Sequence, residues 1–237
     1  MSGLKQSSAL MLRLIRLDGM LFAAGFAPLL AGFAIRFVVP LGEDLLARYF
    51  GQPVLSSYYA LFDVFFASLS PAMFCFIAAM VMLEEHDDGI DCYLSVTGLG
   101  REGYFLSRIG LPALASFVVT AVLLSVFHLT PLSALMMVLL SLDGALQGVL
   151  IALFIVTVSS NKLEGMAVTK LSSLVILGAV VFFFIPKPFC YGFSFLPSFW
   201  MGSGIARRSY LLLLLSAALS GCWIRLLAGR VLHKILK

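Results

Sequence analysis

The chain has 237 residues, of which 61 % are hydrophobic and 12 % charged, with a mean hydropathy of +1.06. Soluble domains carry about 25 % charged residues, and a water-soluble fold of this length cannot hide so much apolar surface, so the surplus must face lipid. The formal net charge of +4 comes from basic residues scattered at the ends of apolar runs, a pattern that fits membrane topology and not a nucleic-acid surface.

Residues 4–17 come first. On a helical wheel Lys5, Gln6, Ser8, Arg13 and Arg16 fall on one side, and Leu10, Met11, Leu14 and Leu17 on the other. This pattern predicts an amphipathic helix lying in the interface, basic face toward anionic headgroups; the alternative is a span extended into water. The apolar run that follows, 19–39, is broken only by Arg36 and has the ~20 residues of a span rather than the 7–15 of a signal-peptide core, so it reads as a retained span.

Five further runs have spanning length, at about 57–83, 109–129, 132–158, 170–186 and 209–229. Unpaired strand edges cannot face lipid, and the runs do not alternate as barrel strands do, so all six are expected to be helices. The fold class is therefore an all-α integral membrane protein forming a single transmembrane domain over 1–237. An even number of spans puts both termini on one side. That side carries eleven of the Lys and Arg residues and the other side five, which places the termini in the cytoplasm of a cell membrane, most simply a bacterial plasma membrane.

Between the second and third spans lies the densest charge in the chain, Glu84-Glu85-His86-Asp87-Asp88-Gly89-Ile90-Asp91. Intramembrane proteases with a Glu-Glu-x-x-x-Arg motif need Arg where Gly89 stands, and no second carboxylate cluster exists to complete a metal site. A docking surface and a merely solvated loop remain, although a simple connector between helices needs only 2–8 residues. Further on, Gly98-Leu99-Gly100-Arg101-Glu102-Gly103 matches G-x-G-x-x-G, but without the βαβ unit that gives the motif meaning it reads as a turn between short helices.

Polar residues inside the spans come next. Asp63 sits toward the outer end of the second span, where it could reach water. Asp143 lies near the middle of the fourth, beside Gly144 and Gln147. A carboxylate at that depth costs about 2.5–3.5 kcal/mol on insertion scales, so it faces protein or a wet cavity. It either contacts substrate or a proton, or makes an interhelical hydrogen bond; these three residues are the substrate-pathway candidates. Gly144-x-x-x-Gly148 allows close helix approach, within one chain or between two. The turn Ser159–Met166 follows, with Glu164 placed to cap or to pair with Lys162 or Lys170. The segment 186–206, rich in Pro, Gly and aromatic residues, cannot continue a helix and reads as an aromatic belt or as short helices dipping into the outer leaflet. Cys75, Cys92, Cys190 and Cys222 are far apart with no CxxC, so neither a disulfide nor a metal site is expected.

The whole pattern resembles the membrane subunits of ABC type-2 transporters, in particular small drug-export permeases of the fluoroquinolone-export type. The resemblance rests on six spans after a basic interfacial helix, on Glu84-Glu85…Gly89…Leu94…Gly98…Arg101 in the second cytoplasmic loop, on Asn161-Lys162-Leu163-Glu164-Gly165-Met166-Ala167, and on Leu196-Pro197-Ser198-Phe199-Trp200 before the last span. Thr97-Gly98 replaces the family's Leu-Pro in the second loop.

The resemblance implies a permease subunit of an exporter, with a short cytoplasmic coupling helix within 84–108. No catalytic site is expected in this chain, and it has no G-x-x-x-x-G-K-[ST] phosphate loop, so ATP and Mg would be handled by a separate ATPase partner. The implied docking residues are Glu84, Glu85, Asp87, Asp88, Gly89, Asp91, Leu94, Arg101, Asn161, Lys162, Glu164 and Gly165. A second permease chain, identical or homologous, would complete a pathway for a hydrophobic small molecule, lipid or peptide. The rival readings are an intramembrane enzyme using the 84–91 cluster and a non-transporting membrane scaffold.

Overall fold

Lipid offers no partner for a peptide group, so each apolar run closes its own backbone bonds as a helix. The computed structural model describes residues 11, 13–90, 100–172 and 174–234; it has six helices long and apolar enough to cross a membrane and, among the described residues, no strand. They are α1 (Gly19–Phe50), α2 (Tyr59–Asp87), α3 (Gly103–Phe127), α4 (Ala134–Val158), α5 (Lys162–Phe184) and α7 (Tyr210–Lys234), with a short α6 (Pro197–Ala206) before the last. The chain is a multi-pass membrane protein. The expected helix over 4–17 falls mostly outside the described residues, where only Met11 and 13–17 show helix.

α2 and α4 form the centre of the bundle. Their apolar windows are 78 % and 72 % buried, whereas those of α1 and α7 are 17 % buried and present apolar side chains outward. The contact between α2 and α4 is set by Gly144 and Gly148. A Cβ on Gly148 would lie 2.7 Å from the Pro71 carbonyl oxygen, and one on Gly144 would run into the Ala67 carbonyl. The Gly-x-x-x-Gly spacing thus brings two backbones together within one chain.

Two helices are interrupted by π turns, Ala34–Val38 in α1 and Leu106–Gly110 in α3. Each is followed by a proline, Pro40 or Pro112. A proline lacks the N–H of the ordinary helical bond and crowds the carbonyl four residues back, here Arg36 or Arg108; the wider π turn relieves both problems. This is why α1 does not stop at 39, as the sequence suggests, but runs to Phe50. Its 32 residues span about 48 Å, against ~30 Å of hydrocarbon. α5 likewise starts earlier than 170, because a helix cap at Asn161 allows it to begin at Lys162.

At the end of the bundle away from residues 84–90, Asp63 does not reach water. It is 1 % exposed and accepts hydrogen bonds from the backbone N–H groups of Leu129 and Thr130, both at 2.8 Å, and from the Thr130 hydroxyl. Its carboxylate therefore supplies the acceptors for the tight turn joining α3 to α4.

The segment after α5 forms a 3₁₀ turn, Phe189–Phe193, and then α6, which packs between α5 and α7. Gly178 of α5 admits it: a Cβ there would lie 2.9 Å from the Phe199 nitrogen. Both tryptophans of the chain hold this bend, with Trp200 Nε1 donating to the Ser194 carbonyl at 2.7 Å and Trp223 Nε1 to that of Phe195 at 3.2 Å. The short helices suggested by the prolines form, and α6 is covered by protein rather than by headgroups.

Candidate functional site

Polar groups gather at the end of the bundle where α1, α3 and α5 begin and α2 and α4 end. Asp18 caps α1, accepting from the backbone N–H of Met20 at 2.9 Å and of Leu21 at 3.3 Å. Asn161 caps α5, its Oδ1 accepting from Glu164 N at 2.8 Å, while the Glu164 carboxylate reaches back to accept from Ser160 N at 2.6 Å. This is a capping box displaced by one residue, and it fixes the direction in which α5 leaves the turn.

That direction carries Lys162 into the acidic segment. Its Nζ bridges Asp18 Oδ2 at 2.9 Å and Glu84 Oε2 at 3.0 Å, and its backbone N–H donates to Asp87 Oδ2 at 2.9 Å. Gly165 permits the approach: a Cβ there would lie 3.1 Å from Met80 Cε and collide with Leu83 on α2. In Asn161-Lys162-Leu163-Glu164-Gly165, therefore, all four polar or small residues have identified work, and together they latch the starts of α1 and α5 to the end of α2. The hydrogen bond from Lys162 holds the Asp18 carboxyl below its ordinary value of 3.8.

Glu85 faces the other way. It is 1 % exposed and takes Arg108 of the α3 π turn in a two-pronged ion pair, Nε to Oε2 at 2.8 Å and Nη2 to Oε1 at 2.5 Å, with the Tyr104 hydroxyl also donating at 3.0 Å. Glu85 joins α2 to α3 and leaves no carboxylate on the surface, unlike its neighbours Asp87 and Asp88. Gly89 ends α2 with φ +68°, a left-handed conformation that favours glycine, and its N–H bonds the His86 carbonyl at 3.1 Å. Asp91 and Leu94 lie outside the described residues, as does the side chain of Arg101, whose backbone sits in the helical turn Gly100–Phe105.

The structure thus brings Glu84, Asp87, Asn161, Lys162, Glu164 and Gly165 together, and adds Asp18. The other sequence candidates lie elsewhere. Asp143 and Gln147 are both buried on one face of α4, about 22 and 16 Å of helix from its end at Val158. Asp63 is at the far end. The two residues missed by sequence reasoning, Asp18 and Arg108, each carried a faint signal. Asp18 directly precedes an apolar run, as an N-cap does, and Arg108 stands four residues before Pro112, as Arg36 does before Pro40.

Beside the latch an apolar cavity of about 540 Å³ opens between α1, α2 and α3, lined by Leu21, Phe22, Phe26, Ile77, Leu111 and Leu114 among others. Its size falls within the ~300–1,000 Å³ of small-molecule sites, and its walls suit an apolar guest.

A bundle of spanning helices, with a buried seam of small residues and a charged latch at one end, is the architecture of a polytopic membrane protein. The chain belongs to the family described as fluoroquinolones export permease protein Rv2686c-like, whose model matches residues 11–235. Among its relatives are the fluoroquinolones export permease proteins Rv2686c and MT2760 of two Mycobacterium tuberculosis strains. Each is 24 % identical over 185 residues, which cover 77 % of this chain and 73 % of the relative. No solved structure matches the chain.

Proposed function

We propose that this chain is the membrane-spanning subunit of an ATP-driven exporter of the ABC type, working as a pair of permease chains with separate ATPase subunits. The latch end faces the cytoplasm and receives the ATPase. The cargo is lipophilic or amphipathic and leaves from the cytoplasm or the inner leaflet. The single observation that supports this most is the convergence of Asn161–Gly165 with Glu84, Asp87 and Asp18. A force applied to residues 84–90 or to the turn before α5 reaches α1, α2 and α5 together, because Lys162 ties all three. Closure of two ATPases would then tilt rigid helices instead of bending a loop, a rigid-body switch between inward and outward states. The apolar cavity beside the latch, and the names of the two mycobacterial relatives, favour a hydrophobic drug-like cargo over a polar one.

Reconstitution tests the reading. Co-expressed with the ATPase that co-purifies with it and placed in liposomes, the chain should support ATP-dependent movement of a fluorescent lipophilic dye. Lys162→Glu, which sets a third anion against Asp18 and Glu84, should reduce that transport at least several-fold while the permease still inserts. Full transport by Lys162→Glu, or no ATP dependence in the wild type, contradicts the proposal.

A further inference from the structure

Near the middle of α4 stands one carboxylate, Asp143; the buried thiol of Cys75 on α2 lies about a turn further along, beside Gly148. Apart from Asp143, α4 carries no Asp, Glu, His, Cys, Lys, Arg or Tyr between 134 and 158. Nor do the stretches packed around it: 64–74 of α2, 111–127 of α3, 174–184 of α5, 197–206 of α6 and 211–221 of α7. Among the described residues, therefore, no cationic side chain packs at that depth to neutralise it. Asp143 is 1 % exposed, and neither of its carboxylate oxygens receives a hydrogen bond among the described residues.

Ser216 of α7 interacts with the carboxylate without making a hydrogen bond to it in this geometry. Its hydroxyl donates to the Pro197 carbonyl oxygen, 3.0 Å away, at the start of α6. Serine has one O–H hydrogen; while that hydrogen serves the Pro197 carbonyl, Ser216 turns lone pairs to Asp143. One turn along α4, Gln147 directs its amide nitrogen at the Met201 sulfur, 2.9 Å away, and its oxygen also lacks a donor. One turn along α7, the buried Ser220 hydroxyl has no partner. With Asp143 as an anion, its two oxygens and that of Gln147 are left without hydrogen bonds among the described residues, in a medium that cannot solvate them, a costly arrangement.

We propose that Asp143 is a proton-binding site: the bound proton makes the carboxyl a donor to Ser216 Oγ, completing a relay from Asp143 through Ser216 to the Pro197 carbonyl. The relay joins α4, α7 and α6 across the bilayer core, and no bond is made or broken beyond the transfer of the proton. Losing the proton leaves a buried anion that no cation balances, a state that water must reach. Proton release is therefore coupled to opening of the seam between α4 and α7. The proposal is independent of what drives transport.

The test is infrared spectroscopy of the full chain in lipid nanodiscs at neutral pH, with ¹³C-labelled aspartate identifying the carboxyl bands. The wild type should show a protonated-carboxyl C=O band that Asp143→Asn removes. Ser216→Ala keeps the acid but takes away its acceptor, and should move that band to higher frequency. A wild-type spectrum with the same protonated bands as Asp143→Asn would mean an ionised carboxylate, solvated by water or a metal ion, and would overturn the proposal. If Asp143→Asn does not fold, Ser216→Ala decides alone: a shifted band supports the relay and an unmoved one overturns it.

Discussion

Lys162 is the residue on which the latch depends, and the groups gathered around it differ in how well they can be read from sequence. Glu84 and Asp87 belong to a conspicuous acidic run, and Asn161 and Glu164 are separated from Lys162 by a turn or less. Asp18 lies 144 residues away and shows only the local mark of a helix cap. A long-range ion pair leaves no periodicity, so the sequence could place the charged end of the bundle but not the pairing within it.

The pairing has a pH signature. Because Lys162 lowers the folded Asp18 carboxyl below its ordinary 3.8, the stabilisation is complete above that value and is lost as pH falls through the lowered one. The melting-temperature difference between the wild type and Asp18→Asn, which can still cap α1, should stay constant from about pH 5 to neutrality and shrink below that range. A difference that grows on acidification would show that Asp18 does not act through its charge.

Among the helices, the apolar runs were readable because lipid imposes length and hydrophobicity on each span separately. Their ends were less so. Pro40 marks a stop in an ordinary helix but not after a π turn, and the backbone accommodation at Ala34–Val38 has no composition of its own. The recurrence of Arg-x-x-x-Pro at Arg36–Pro40 and Arg108–Pro112 was the available clue. Its second instance aims Arg108 at Glu85 and so joins α2 to α3 inside the protein.

That ion pair is fully enclosed, with the two side chains 0 % and 1 % exposed. Removing one partner leaves an uncompensated charge and typically costs about 3–5 kcal/mol, whereas removing both costs much less. Glu85→Ala and Arg108→Ala should each lower the thermal midpoint in detergent markedly, and the double variant Glu85→Leu/Arg108→Met should recover much of the loss. Equal, additive losses would argue that the two side chains do not act as a pair. Gly144 and Gly148 belong to the same scale, since their lack of a side chain sets the distance between the two central helices.

For the whole molecule, the contrast between a buried α2–α4 centre and outward-facing α1 and α7 leaves broad apolar surface for lipid or for the second permease chain proposed above. Composition foretold that surface but not its distribution, because hydropathy alone cannot distinguish a lipid-facing leucine from one in the core. Nor could it distinguish Asp63, which ties a turn at one end, from Asp143, which stands without donors in the middle; both are single acids in apolar runs. The latch, the cavity beside it and the rigid centre together form a body that can be moved from one end, as the export reading requires.

The most direct test is site-specific cross-linking, in native membranes, between this chain and the ATPase proposed to dock on it. Cysteines introduced at Asp88 and at Leu163, exposed positions on either side of the latch, should cross-link to the ATPase, and the yield should change when a non-hydrolysable ATP analogue is added. A cysteine at Tyr49, at the opposite end of the bundle, should not cross-link. Cross-linking from Tyr49 with none from Asp88 or Leu163 would contradict the account at its root.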